Sequence, residues 1–200
     1  MDGFIAGPNA EPGNPLGDGG DRIHEWIFDV EAWRERQSMK GGRGGNPDDG
    51  VVRELFSRAG AYVMGRRMFA EGELGWADPP PFRAPVFVLT HTPREPWVRQ
   101  GGTTFTFVTD GPEAALARAR EAAGDKDVQI SGGADTVRQY LNAGLVDELR
   151  VHLAPVLLGA GTRLFDGVSP ELTFEREGVI DSPAVTHLTY RVLRTRRVAE

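Results

Sequence analysis

The chain has 200 residues, of which 40% are hydrophobic and 26% charged, with a formal net charge of -6 and no cysteine. That length suits one domain over residues 1–200 with a continuous core, and the missing cysteine excludes disulfides, thiolate zinc sites and cysteine nucleophiles. Lysine and arginine are scattered and no apolar run is long enough for a membrane span or secretory signal, so the expectation is a cytoplasmic protein acting on a small molecule, with neither nucleic acid nor membrane as partner.

In chain order, residues 3–7 read as the tail of a strand running into a Gly/Pro/Asn-rich loop over 7–20. Ile23, Trp26, Ile27, Val30 and Trp33 recur at helical spacing and predict one helix with a single apolar stripe. Residues 41–47 (Gly-Gly-Arg-Gly-Gly-Asn-Pro) predict a mobile loop, and Val51, Val52, Leu55 and Phe56 a short helix ending near Gly60. Strands are then predicted over 61–64, 86–89, 105–108 and 128–130, alternating with helices over 66–70, 112–122 and 134–142. Short apolar strands alternating with helices imply an α/β fold with a mostly parallel central sheet covered on both faces. The end of the chain differs. Residues 149–158 form an extended run, and 172–179 and 185–193 read as strands with only turn chemistry between them, which predicts an antiparallel C-terminal hairpin.

Three strand–helix or strand–loop junctions carry chemistry. Gly132 and Gly133 follow a buried strand and lead straight into a helix, where free N–H groups attract an anion such as a pyrophosphate. A tight turn capped by Asp135 or Thr136 accounts for the same residues equally well. Arg66 and Arg67, after Gly65, occupy the first turn of the next helix, where cations oppose the helix dipole unless an anion is nearby. Arginine holds a phosphate by two parallel bonds, and the 2′-phosphate of NADPH is the obvious partner; pairing with Glu71 or Glu73 is the plainer alternative. Thr90, His91 and Arg94 lie at the C-terminal edge of a strand, where ligands of open parallel sheets sit. The four histidines (24, 91, 152 and 187) have no metal-ligand spacing, so no metal is expected, and His152 and His187 read as packed or hydrogen-bonded strand residues. No nucleophile elbow or lysine phosphate loop is present.

The ordered set Asp2-Gly3-Phe4-Ile5-Ala6-Gly7, Val63-Met64-Gly65-Arg66, Val88-Leu89-Thr90 and Ser131-Gly132-Gly133 resembles the dihydrofolate-reductase-like family. With the segment from Asp147-Glu148-Leu149 through 155–161 to Leu164-Phe165, it is closest to the branch similar to the C-terminal reductase domain of the bifunctional riboflavin-pathway enzyme. The resemblance implies a three-layer NADPH-binding fold, often a homodimer, and an activity like 5-amino-6-(5-phosphoribosylamino)uracil reductase. It places Gly65, Arg66 and Arg67 at the adenosine phosphate and Thr90 and His91 at the adenine-ribose edge. Gly132, Gly133, Ala134, Asp135 and Thr136 fall at the pyrophosphate, and Ala6 with the loop around 17–20 at the nicotinamide.

Two departures from the family follow. The helical stripe over 23–33 has no carboxylate where dihydrofolate reductases proper place one, whereas Arg34 falls within it; Arg34 is therefore a candidate substrate-binding residue, a surface cation at a helix end being the alternative. The catalytic proton donor is unassigned. The family places several apolar residues ahead of the Asp-Gly pair, whereas here Met1 precedes it directly, which implies either a start upstream of Met1 or a nucleotide-binding or sensor protein with weakened turnover.

Overall fold

The computed structural model describes residues 1–193. The first strand, β1 (Phe4–Ala6), leads into a loop and a 3-10 turn at Gly20–Ile23, then the short helices α1 (Glu25–Phe28) and α2 (Glu31–Arg36). The helix predicted over 23–33 is thus broken at Asp29 and Val30. Val30 is extended (φ -78°, ψ 128°), and its neighbours bond to a distant backbone: Arg43 N–H donates to Asp29 O at 2.6 Å and Glu31 N–H to Arg43 O at 3.2 Å. The same bonds pin the glycine-rich segment expected to be mobile. Beyond it, Asn46 caps α3 (Pro47–Arg58) by accepting from Asp49 N–H at 2.9 Å. Buried Asp49 accepts from Ala32 N–H at 2.8 Å, Gly45 N–H at 3.2 Å and Arg53 Nε at 2.9 Å. Burial opposes its charge, but these donors hold its carboxyl below the usual range.

The central part follows the predicted alternation: β2 (Ala59–Gly65), α4 (Arg66–Gly72), β3 (Val86–Leu89), β4 (Trp97–Val98), β5 (Thr104–Val108), α5 (Pro112–Ala123), β6 (Asp127–Gly132) and α6 (Ala134–Asn142). Five strands form one sheet in the order β4-β5-β3-β2-β6, parallel except for β4. Period-two alternation sends Tyr62, Met64, Val86 and Val88 to one face, where they pack with Phe69, Phe82 and Phe105. Ala61, Val63 and Phe87 face the other way, against Leu116 and Ala119 of α5 and Tyr140 of α6. Tyr140 is fully buried and satisfies its hydroxyl by donating to Pro112 O at 2.7 Å.

β7 (Glu148–Leu153) stops short of the extended run predicted to 158, because Pro155 has no N–H to continue a ladder. After β8 (Thr162–Arg163), which pairs with β1, come β9 (Thr173–Asp181) and β10 (Thr186–Leu193). These two form the expected antiparallel hairpin, closed at Ser182–Val185, while Glu177-Gly178 is a bulge inside β9 rather than a turn. The hairpin does not extend the central sheet. It joins β7 in a separate sheet of order β7-β10-β9, with Trp26, Val30, Val52, Ala154 and Val185 packed as a third core region.

Candidate functional site

The parallel strands β2, β3 and β5 all end at one side, and the loops there enclose a cleft of about 320 Å³. Its walls are Ile5 and Ala6 of β1, Gly65–Met68 at the start of α4, Leu89–His91 after β3, Val108, Thr109, Gly111 and Pro112 after β5, and Gly133–Thr136 with Gln139 on α6. The structure therefore brings together Ala6, Gly65, Arg66, Arg67, Thr90, His91, Gly133, Ala134, Asp135 and Thr136 around one cavity. Gly132 lies just behind that wall. Its φ of +121° favours glycine, and a cis peptide joins it to Gly133.

At α6 neither Asp135 nor Thr136 caps the helix. The cap is Gly133, which makes no side-chain bond, so the first-turn N–H groups at Ala134, Asp135 and Thr136 face the cleft without an intrahelical partner. Asp135 instead lies out in solvent, 3.4 Å from Arg138. Thr136 is buried against the backbone of Gly65, and a Cβ at position 65 would overlap its Oγ1. The glycine lets β2 and α6 approach closely where the two junctions meet.

The two arginines of α4 separate into different roles. Arg67 donates to Glu71 Oε1 at 2.8 Å and to Ala10 O at 2.9 Å, fastening the loop after β1 to the helix. Exposed Arg66 has no hydrogen-bond or ion-pair partner among the described residues. A free guanidinium and an uncapped helix N-terminus thus line one cleft, an arrangement suited to an elongated anion with phosphate at two points. Thr90 turns its hydroxyl onto its own loop, accepting from Thr92 N–H at 3.1 Å, while His91 is exposed.

Arg34 is not brought to this cleft. Its guanidinium donates to Lys40 O at 2.9 Å and 3.0 Å and to Phe28 O at 3.4 Å, closing the turn after α2. Carbonyls take the donors that the sequence reading offered to a substrate. Among the described residues no group of His, Cys, Asp and Glu side chains forms a metal site. His152 and His187 bond to each other, Nδ1 to Nδ1 at 2.7 Å, and His187 Nε2 reaches Asp48 Oδ1 at 3.1 Å.

The sequence profile of the RibD C-terminal domain matches residues 1–188. The chain belongs to the RibD C-terminal domain family. Among solved structures, a Shewanella sp. PV-4 protein provisionally assigned to riboflavin biosynthesis is 26% identical, with a TM-score of 0.65 over 97% of this chain and 94% of that one. A diaminohydroxyphosphoribosylaminopyrimidine deaminase/5-amino-6-(5-phosphoribosylamino)uracil reductase of Thermotoga maritima shares the fold at 14% identity and a TM-score of 0.50, over 74% of this chain and 49% of that one. The uncharacterized protein YwjB of Bacillus subtilis (strain 168) is 29% identical over 85 residues, which is 42% of this chain and 48% of that relative. The match therefore spans about half the length of that curated relative.

Several lining residues of this RibD C-terminal domain were not singled out in the sequence. Thr109, Gly111 and Pro112 form another strand–helix junction at the same sheet edge, so the rule that found Thr90 could have found them. Thr162 had no such signal. It reaches the cleft because β8 pairs with β1, which is far from it in sequence.

Proposed function

We propose that this RibD C-terminal domain is an NADPH-dependent reductase that delivers a hydride to a C=N or C=O group of a small heterocyclic or ribosylamino-pyrimidine-like substrate. The activity would be similar to 5-amino-6-(5-phosphoribosylamino)uracil reductase. The observation that carries the reading is that the unpartnered Arg66 and the uncapped start of α6 line one cleft. Arg66 would hold the 2′-phosphate, the N–H groups of residues 134–136 the pyrophosphate, and Ala6 with Thr162 would flank the nicotinamide end. When bound, the cofactor supplies the hydride. The protein's own part is to orient the two partners and to exclude water. The unpartnered Arg66 and the uncapped α6 start equally support a second reading, a nucleotide-binding or sensor protein with weak turnover.

Thermal-shift measurements with NADPH, NADH and no ligand test the binding half: NADPH should stabilise more than NADH, and no shift from either would end both readings. Consumption of NADPH with a pyrimidine-riboside substrate, followed at the cofactor's absorbance band, separates reductase from sensor.

A further inference from the structure

The first turn of α6, residues 134–136, lines the cleft. Farther along the same helix, Arg138 and Asn142 stand four residues apart, on one face, and hold the chain between residues 163 and 169. Two donors of the Arg138 guanidinium take successive carbonyls, Nε that of Leu164 at 3.1 Å and Nη2 that of Arg163 at 2.7 Å. A planar fork fixes the orientation of what it holds, which a single ammonium cannot do. The third nitrogen, Nη1, lies 3.4 Å from Oδ1 of Asp135, a residue in the wall of the cleft.

The segment held by Arg138 carries another wall of that cleft. Arg163 ends β8 and Leu164 follows it, and β8 sets the register of β1: Phe4 lies opposite Arg163 and Ala6 opposite Thr162. Leu164 N–H donates to Gly3 O at 3.0 Å, and the Arg163 guanidinium lies over the Phe4 ring, 4.6 Å from its centroid. Ala6 and Thr162 both line the cleft. One side chain thus joins the helix start that would hold phosphate to the strand pair that would flank the reacting ring.

We propose that Arg138 is a positioning residue, a role that rests on reading the cleft as a dinucleotide site. It sets the β1–β8 wall relative to the start of α6 and transmits phosphate binding at that start to the wall. Asp135 is the physical link. An anion on the N–H groups of residues 134–136 repels the neighbouring carboxylate and drives it toward Arg138, which steadies the guanidinium on the carbonyls of β8. Asn142 bonds instead to Gly167 O at 2.9 Å and Ser169 N–H at 2.8 Å, beyond the strand pair, and serves as a structural comparison.

The test reads amide hydrogen exchange at Leu164, whose N–H joins β8 to β1, in wild type, Arg138→Met, Arg138→Lys and Asn142→Ala. The added ligand is 2′-phospho-ADP-ribose, which carries the phosphates of NADPH but no nicotinamide to touch the wall directly. Without ligand, both Arg138 variants should speed exchange at Leu164 by about 10-fold, lysine no less than methionine because it lacks the fork. Asn142→Ala should stay within about 2-fold of wild type there. The ligand should slow exchange at Leu164 by about 5-fold or more in wild type and Asn142→Ala, and leave it unchanged in both Arg138 variants. Calorimetry should find ligand affinity within about 3-fold of wild type in those variants, since the helix start is intact. Equal exchange in all four ligand-free proteins, or equal acceleration by Asn142→Ala, overturns the positioning role. Binding to wild type without slowing at Leu164, or equal slowing in Arg138→Met, overturns the transmission and leaves the cofactor reading standing. An affinity loss in the Arg138 variants as large as that in Arg66→Ala makes Arg138 a direct phosphate contact and overturns the assignment. No binding to wild type overturns the cofactor reading and the transmission together, and the ligand-free comparison then decides the positioning role alone.

Discussion

Gly65 offers the most direct test of how the cleft is built. Its backbone (φ -82°, ψ 157°) is one that alanine adopts freely, so Gly65→Ala carries no conformational strain and on chain-entropy grounds would stabilise slightly. The new methyl group, however, overlaps Oγ1 of Thr136, a residue only 5% exposed. Once that oxygen is removed, the nearest atom of the residue is Thr136 Cβ at 3.7 Å, an ordinary contact. Overpacking of this kind costs about 1–3 kcal/mol, which in a chain of this size lowers Tm by roughly 2–4 °C for each kcal/mol. Thr136→Ala alone should cost about 1 kcal/mol or less, because its hydroxyl has no partner among the described residues and only a small void is left. The double variant should then be more stable than Gly65→Ala alone, with a coupling of about 1 kcal/mol or more. Urea unfolding of the wild type and the three variants measures the cycle. Costs that simply add would refute the claim that the glycine exists to let α6 approach β2.

Three other outcomes are expected. Arg66→Ala should weaken NADPH binding by about 10- to 100-fold, the worth of a hydrogen-bonded charge, and leave NADH nearly unchanged; equal losses in a fluorescence titration would remove Arg66 from the 2′-phosphate. Tyr140→Phe should cost about 1–2 kcal/mol in chemical denaturation by leaving Pro112 O without its donor, and an unchanged midpoint would contradict that bond's role. His152 is pushed down to about 4, chiefly by burial and then by His187 and Arg150. Below its ordinary value of 6.5 the unfolded chain binds a proton that the folded one refuses, so stability should fall as pH drops from about 6.5 to 4, by at most about 3 kcal/mol. Burial lowers His24 in the same direction, so His152→Gln should flatten this slope only in part; a slope identical to wild type would discount His152.

The sequence made legible whatever depends on local pattern. The bounds of β3 and α6 follow from apolar runs closed by polar or glycine residues, and the cleft residues from junctions at one sheet edge. What it hid depends on partners distant in the chain. The stripe from Ile23 to Trp33 has helical periodicity throughout, yet backbone bonds to Arg43 extend Val30 and split it. Arg34 has the right place on that stripe for a ligand, but the carbonyls of Phe28 and Lys40 occupy it, and no spacing rule reveals a turn closing back on its own helix. Arg66 and Arg67 look alike as neighbours in a sequence. Only the approach of Ala10 and Glu71 decides which of them is left free.

The pairing of β1 with β8 bears on the order in which the protein is made. Phe4 lies opposite Arg163, and the amino terminus meets Ala154 across 153 positions of chain. During synthesis the first residues leave the ribosome long before their partners exist. The wall formed by Ala6 and Thr162 is thus among the last parts of the cleft to be completed, after the central strands have already paired. A chain halted before residue 160 would lack Thr162 and Arg163, and with them the strand pairing that sets Ala6 in the wall of the cleft.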